Sequence, residues 1–413
     1  MLIAFYDAYS ILAKVYSDKA FLKQAILATP IEEKNRALTI KTCYGVLDKD
    51  IELSYYIAAL SPKNPKLAVR VVLKIAMYNI KYLHKHPYAV IDNAVELVKK
   101  LGKGGVSGYV NALLRRFSER EIPMPEDKEG YLSVKYSFPA FAVKRLVREY
   151  GEGRAEEIMS AEGGDTTLAF YESDGAAYLA ERGIKYRETP FENAFTVKNF
   201  VRNADYDAGV YTFQSVGSLA VCAAVDGGES LLDACAAPGG KSVNLSRRFR
   251  RVTACEVHPH RAALIEEYAR RMKRENIEVL VKDATVFDGS FAERFDAVLC
   301  DAPCSGFGVA FENPDIKLNK DEGNLKELVG LQGAILQNCS RYVKKGGYLY
   351  YSTCSFFGEE NSSVAESFLK NNPDFALEEL SSPLAHEKKT CGLQFLPDVS
   401  GGGFFIAKMR KKV

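Results

Sequence analysis

The sequence predicts a multidomain protein in which an all-α domain is followed by an α/β domain, and three observations predict it. Apolar residues recur at three- and four-residue steps through about the first 125 positions, which is helical periodicity. From about residue 206, short β-branched and aromatic runs alternate with amphipathic stretches of helical length. That alternation marks a mostly parallel sheet covered on both faces. Turns rich in glycine, proline and cysteine follow directly on several of those runs, at the strand ends where open parallel sheets keep their ligands.

Met1 to Ala20 sets Leu2, Phe5, Tyr6, Tyr9, Leu12, Ala13 and Tyr16 at helical spacing. Asp7 interrupts the stripe and no basic segment precedes it, so this is an amphipathic helix rather than a secretion signal. Lys66 to Leu83 (Leu67, Val71, Ile75, Tyr78, Tyr82) and Val90 to Leu101 repeat the pattern, the second stopping at Gly102. Beyond Gly104-Gly105, Tyr109 to Phe117 forms a last helix carrying Asn111, Arg115 and Arg116. Pro123 and Pro125, among acidic residues, close a first domain over residues 1–125. Residues 126–205 read as an adaptor: a helix opened by Phe138-Pro139 and running to Tyr150, a second over Arg154 to Ala161, then a strand–helix–strand unit (Leu168–Tyr171, Gly175–Arg182, Ile184–Arg187).

Residues 206–413 carry the α/β pattern. Ser230–Ala236, Val252–Glu256, Val279–Lys282, Ala297–Cys300 and Tyr348–Ser352 are its strands, and Ser242–Phe249, His260–Arg274 and Leu325–Tyr342 its helices. Phe404–Lys408 fits an antiparallel edge strand.

At 413 residues and 47% hydrophobic content the chain can build real cores. Its apolar runs fall short of the roughly 18 residues that span a bilayer, so it reads as cytoplasmic, with no membrane partner. In that compartment its nine cysteines are thiols. Cys43, Cys222, Cys255, Cys300, Cys339 and Cys391 read as small packing residues. Zinc is a poor alternative and no metal is expected, because no pair of C-x-x-C motifs occurs and the five histidines lack ligand spacing. Residues 1–130 hold 20 Lys/Arg against 14 Asp/Glu, while the remainder is slightly acidic. A phosphate backbone is attracted to such a front half, although a lysine-rich solvated helical surface gives the same count.

Three constellations carry chemistry. The first is Asp233 to Lys241 (DACAAPGGK), at the end of the first strand. Pro238 fixes the turn there, and Gly239 and Gly240 let the backbone approach a ligand. Glu256 ends the second strand, 17 positions after Gly239, where a carboxylate suits a ribose diol. Asp283-Ala284 follows the third, where a short acid can accept from an adenine amino group. Neither a GxGxxG turn nor a Walker lysine is present, so ribose and adenine contacts without a phosphate cradle point to S-adenosylmethionine rather than NAD or ATP. The second and third constellations are Asp301 to Gly308 (DAPCSGFG) and Ser352 to Ser355 (STCS), each placing a cysteine at a strand end. A methyltransferase needs a thiol there if its target is carbon 5 of cytosine, which is a poor nucleophile. A thiolate added at carbon 6 makes the ring an enamine. An acid must then support N3, and Asp301, beside Cys304, is the candidate.

The helical region resembles the NusB-like RNA-binding domain through a Gly45-Val46-Leu47 turn, Val90 to Leu97 (VIDNAVEL) and Gly108 to Arg116 (GYVNALLRR). This implies an RNA-docking all-α module. DACAAPGGK, DAPCSGFG, Pro314 to Lys317 (PDIK), STCS followed by Glu359-Glu360-Asn361, and Gly402 to Phe405 (GGFF) together resemble the Sun/RsmB family. Those are bacterial small-subunit ribosomal RNA cytosine-C5 methyltransferases that pair a NusB-like domain with a Rossmann-type catalytic domain.

By matching position, the resemblance implies that Cys235, Ala236, Ala237, Pro238, Gly239, Gly240, Lys241, Glu256, Asp283 and Asp301 bind S-adenosylmethionine. It implies Cys354 as the covalent nucleophile, Cys304 as the group that helps resolve the adduct, and Lys241 as a support for the reacting base. It further implies 16S ribosomal RNA, free of its full protein complement, as the partner of a monomeric enzyme. The chain departs from the family at Phe311-Glu312, where an Arg-Arg pair is usual, at Leu318, where a tryptophan is common, and at Leu168 to Tyr171, which lacks the usual Arg and Asn. These positions bear on how the RNA backbone is gripped and leave the thiol motifs intact. Transfer RNA or another ribosomal site is the alternative substrate within the same chemistry. A non-catalytic RNA scaffold or a protein or small-molecule methyltransferase would have no need of the paired thiols.

Overall fold

In a computed structural model, which describes residues 1–163 and 165–413, the chain divides into two compact units. One comprises Met1–Ser160 with Asn313–Lys320, the other Ala161–Glu312 with Asp321–Val413. These units are cut neither at 125 nor at 205.

The first unit is helical: α1 (Leu2–Asp18), α2 (Leu22–Leu27), α3 (Glu33–Asp48), α4 (Asp50–Leu60), α5 (Leu67–Lys81), α6 (Pro87–Lys100), α7 (Ser107–Glu119), α8 (Lys128–Tyr136) and α9 (Ala140–Ser160). Its core takes the stripes read from periodicity, among them Phe5, Leu12, Val71, Ile75, Ala94, Leu97 and Val98. Gly45-Val46-Leu47 is no interhelical turn but the last part of α3. Gly45 is required there because a Cβ would fall within 2.2 Å of the Tyr78 ring. α9 bends at Gly151, whose φ of 75° breaks the helix between the two stretches read separately.

PDIK forms a short 3-10 turn, Pro314–Leu318, seated among these helices. The α3–α4 junction presents Asp48, Asp50 and Glu52, each paired with a lysine: Lys317, Lys74 and Lys81. Lys317 is buried, with its Nζ 2.8 Å from Asp48 Oδ1 and its charge over the Phe138 ring. Asp315 accepts from the Leu22 amide, 3.3 Å away. Burial works against the Asp48 charge, yet Lys317 and Lys49 hold the carboxyl below its usual range. The Asp48 side of the pair therefore adds stability above about pH 4 that is lost as pH falls through the lowered Asp48 value, set against the burial of Lys317, which pulls its ammonium below its usual range even beside Asp48. Lys317→Met is expected to weaken protection of the α3 amides by about 1.5–3 kcal/mol at neutral pH. Hydrogen exchange on the full chain at pH 7 checks this; equal protection in both proteins would show that the pair contributes nothing.

The second unit begins with β1 (Thr166–Ala169), α10 (Gly175–Glu181), β2 (Tyr186–Glu188), β3 (Ala194–Val197), α11 (Ala204–Asp207) and β4 (Thr212–Phe213). The strands form an antiparallel sheet in the order β2-β3-β1-β4, packed by Leu168, Phe170, Tyr178, Phe195 and Tyr211. The expected strand–helix–strand is thus part of a larger sheet. Two further strands, one only two residues long, gave too little alternation to be seen.

After α12 (Val216–Ala223) comes the main sheet. It contains β5 (Gly228–Asp233), α13 (Gly240–Leu245), β6 (Phe249–Glu256), α14 (Pro259–Arg271), β7 (Ile277–Val281), β8 (Phe295–Asp301), α15 (Glu322–Ser340) and β9 (Val343–Thr353). α16 (Ser362–Asn371), β10 (Phe375–Glu378), β11 (Glu387–Lys389), β12 (Gly392–Phe395), α17 (Pro397–Ser400) and β13 (Phe404–Lys411) complete it. The order is β11-β12-β13-β9-β8-β5-β6-β7, with β10 also paired to β13. β5 to β9 are parallel and β13 runs antiparallel to β9. β13 is not the edge expected for it, because β12 and β10 occupy its outer side. Both faces are covered: Val298 and Cys300 of β8 enter one apolar layer, Ala297 and Leu299 the other. Among the described residues no helix is long and apolar enough to cross a membrane, and no cluster of three or more His, Cys, Asp or Glu is placed to hold a metal.

Candidate active site

Because β5, β6, β8 and β9 are parallel, Asp233, Glu256, Asp301 and Thr353 all close at one edge of the sheet. Asp301 sits directly beside Ser352 in the β8–β9 register. The two thiol loops that follow are therefore neighbours, and Cys304 Sγ lies 3.2 Å from Cys354 Sγ. All nine cysteines are free; Cys235, Cys304 and Cys354 are half-exposed, and the six read as packing residues are buried. The hydrogen bond with Cys354 and then burial push the Cys304 thiol well above its ordinary value.

Lys241, from the first turn of α13, donates to Asp301 Oδ2 at 2.6 Å, while Ser352 Oγ donates to Asp301 Oδ1 at 2.7 Å. Each carboxylate oxygen keeps a further lone pair for a ligand. Burial disfavours the Lys241 charge, but Asp301 overcomes it and holds the ammonium pKa above its usual range. Asp233 lies beneath, fully buried, with Oδ2 accepting from Ser242 Oγ at 2.6 Å and Oδ1 meeting no donor among the described residues. Burial, opposed by the Ser242 bond and reinforced by Asp301, pushes its carboxyl up to about 6.

The DACAAPGGK turn is tight. Ala236 N donates to Cys255 O at 2.8 Å and Gly239 N to Ala236 O at 2.7 Å, with Ala237 and Pro238 between them. Gly239 has a φ of 106°, and a Cβ there would sit 3.2 Å from Ile265 of α14. Glu256 is buried; its Oε1 accepts from His258 N at 3.0 Å and its Oε2 faces Arg261 at 3.4 Å. Asp283 is engaged through Oδ1 by the Thr285 amide and hydroxyl, at 2.8 and 2.7 Å. These bonds hold its carboxyl below the usual range and leave Oδ2 for another donor. Beside it opens a cavity of about 310 Å³, lined by Ala234, Cys255, Ala284, Phe287 and Tyr342 among others.

Sequence reasoning assigned no role to the support of the thiol loops. Glu360, fully buried, accepts from Ser305 N and Oγ at 2.7 and 2.6 Å and from Ser355 Oγ at 2.6 Å. Asn361 accepts from Thr353 Oγ1 and donates to Ser355 O and to Gln394 Oε1. The signal was a serine after each cysteine and the Glu-Glu-Asn run; their convergence could not be read from spacing. The GGFF glycines are explained by close backbone approach. Gly308 N donates to Cys354 O and Gly403 N to Gly308 O, and a Cβ on Gly308 would lie 2.0 Å from Gly403 O.

Two family models match the chain: 16S rRNA methyltransferase RsmB/F over residues 220–410, and the NusB family over residues 7–119. The probable ribosomal RNA small subunit methyltransferase B of Bacillus subtilis (strain 168) is 33% identical, over 98% of this chain and 98% of its own length. The ribosomal RNA small subunit methyltransferase B of Sodalis glossinidius (strain morsitans) is 30% identical, over 94% and 92%. Among solved structures, that described as the crystal structure of PH0851 matches with a TM-score of 0.83 over 99% of this chain and 98% of its own, at 22% identity. That last likeness is one of fold.

Proposed function

Because the chain belongs to the RsmB/F family of 16S rRNA methyltransferases, we propose that it methylates carbon 5 of a cytosine in 16S ribosomal RNA through a bond between Cys354 and carbon 6. The family reaction is an S-adenosylmethionine-dependent methyl transfer to small-subunit ribosomal RNA. The observation that carries the finer reading is the pair of thiols 3.2 Å apart beside the Lys241–Asp301 ion pair.

S-adenosylmethionine, when bound, supplies a methyl group on a sulfonium. The residues present fit it: a turn held free of side chains at Gly239, a buried strand-end carboxylate at Glu256, and an acid at Asp283 with one oxygen spare. Cys354, as the thiolate, forms the S–C6 bond, and the ring's C5=C6 electrons shift toward C5 and N3. Asp301 relays a proton from the Lys241 ammonium bonded to its Oδ2 to N3 as density collects there, and the proton returns by the same route when C5=C6 re-forms. Carbon 5, so activated, is the nucleophile that would take the sulfonium methyl group, the S–CH3 electron pair staying on the sulfur left behind. In the last step the C5 proton passes to a solvent water, its electron pair re-forms C5=C6, and the C6–S bond breaks with its pair returning to Cys354. Cys304 as a thiol is placed to donate to that departing sulfur.

Glu256→Ala is expected to weaken S-adenosylmethionine binding by about 1.5–3 kcal/mol, the usual worth of hydrogen bonds to a charged group. Calorimetry with folded mutant checks it, and unchanged affinity would remove Glu256 from the site. Mass mapping of 5-methylcytosine in RNA from cells with and without the protein tests the function itself. One 16S cytosine is expected to lose its methyl group in cells lacking the protein. An unchanged 16S map would overturn the proposal.

A further inference from the structure

The two thiol loops come from different strands, and one carboxylate binds the residue after each cysteine. Glu360 receives Ser305 N and Oγ from the loop of Cys304, Ser355 Oγ from the loop of Cys354, and Gln332 Nε2 from α15 at 3.1 Å. The same Gln332 amide also donates to Pro303 O at 3.0 Å, one residue before Cys304. The carbonyl of Glu360 takes the Tyr351 hydroxyl. All these side-chain partners are neutral donors. Among the described residues its side chain meets no countercharge; a fully buried carboxylate in that state is costly to keep, and packing alone does not call for one between two serines.

We propose that Glu360 is a positioning residue for methyl transfer: its carboxylate fixes the two cysteine loops to each other, and its negative charge divides the labour between the thiols. This rests on the reading of Cys354 as nucleophile. The groups facing Cys304 are the Cys354 thiol at the end of β9, the Glu360 carboxylate ahead of α16 and the Tyr351 hydroxyl within β9. After the Cys354 bond and burial, the Glu360 charge adds to what keeps Cys304 protonated. Lys241 lies instead in the field of Cys354. A protonated Cys304 cannot compete for carbon 6, and it is the form that can donate to the Cys354 sulfur as that sulfur leaves.

Glu360→Gln keeps the shape and removes the charge. In single-turnover assays on the full chain, the methyl-transfer rate is expected to fall about 10- to 100-fold, with KM for RNA unchanged in steady state. Alkylation by iodoacetamide, resolved by peptide mass in the absence of RNA and cofactor, is expected to report Cys304 reacting at a midpoint about one pH unit lower than in the parent. A merely structural role would not move that midpoint downward. Full turnover in the variant, or an unmoved Cys304 midpoint, would overturn the proposal. If Glu360→Gln does not fold, Ser355→Ala decides: it removes one donor from the Cys354 loop and leaves the charge. About a 10-fold slower methyl transfer at unchanged KM supports the clamp, and an unchanged rate sinks it. The alkylation arm needs no methylation activity, so a chain that proved not to form 5-methylcytosine would fail the functional reading without deciding this one.

Discussion

Cys354→Ala is expected to abolish methyl transfer while leaving cofactor binding intact, and no covalent protein–RNA species should form. The sulfur proposed to make the S–C6 bond is then absent, and Cys304, 3.2 Å from it, is held as a thiol. Cys304→Ala should behave in the opposite way. Attack and methylation proceed, but the departing Cys354 sulfur loses its hydrogen-bond donor, so RNA release stalls. A denaturation-resistant adduct that requires the cofactor should accumulate. Removing a nucleophile stops the first bond; removing a group that serves release traps the intermediate. Gel mobility of both variants after incubation with 16S RNA and S-adenosylmethionine is the measurement. An adduct in Cys354→Ala but not in Cys304→Ala would reverse the assignment, and normal turnover in both would end the thiol mechanism.

Asp301→Asn should lower single-turnover methylation about 10²–10⁴-fold, the range for loss of a positioned group that acts on a proton or developing charge. Two effects combine. An amide can still hydrogen-bond to N3 but cannot relay a proton to it, and Lys241, only 14% exposed in its side chain, is left without the carboxylate that holds it charged. Cofactor affinity should fall by far less than the rate. Calorimetry beside rapid-quench assays separates the two, and a variant with a near-parental rate would exclude the Lys241–Asp301 pair from the chemistry.

Much of this was legible from sequence because strand ends are punctuated. The motifs at 233–241, 301–308 and 352–355 each follow an apolar run, and a parallel sheet forces such positions onto one edge. What periodicity could not supply was convergence. Glu360 is one acidic residue beside another, and nothing in its spacing says that it reaches Ser305, 55 positions upstream. β13 looked like an edge because its outer neighbours, β10 and β12, are four residues each. The placement of Lys317 against Asp48 joins residues 269 positions apart, beyond any local pattern.

That last feature bears on how such a gene can be cut and recombined. By sequence the front module ends near residue 119 and looks like a cassette that could be exchanged at a single joint. The polypeptide, however, re-enters the helical unit at 313–320, well after leaving it at 160. A swapped front half would need a pocket for a foreign lysine at the end of α3, and an excised catalytic half would carry Lys317 and Leu318 with their lining gone. Recombination is therefore tolerated only when both crossing points travel together, so Asp48 and Lys317 should be inherited as a pair.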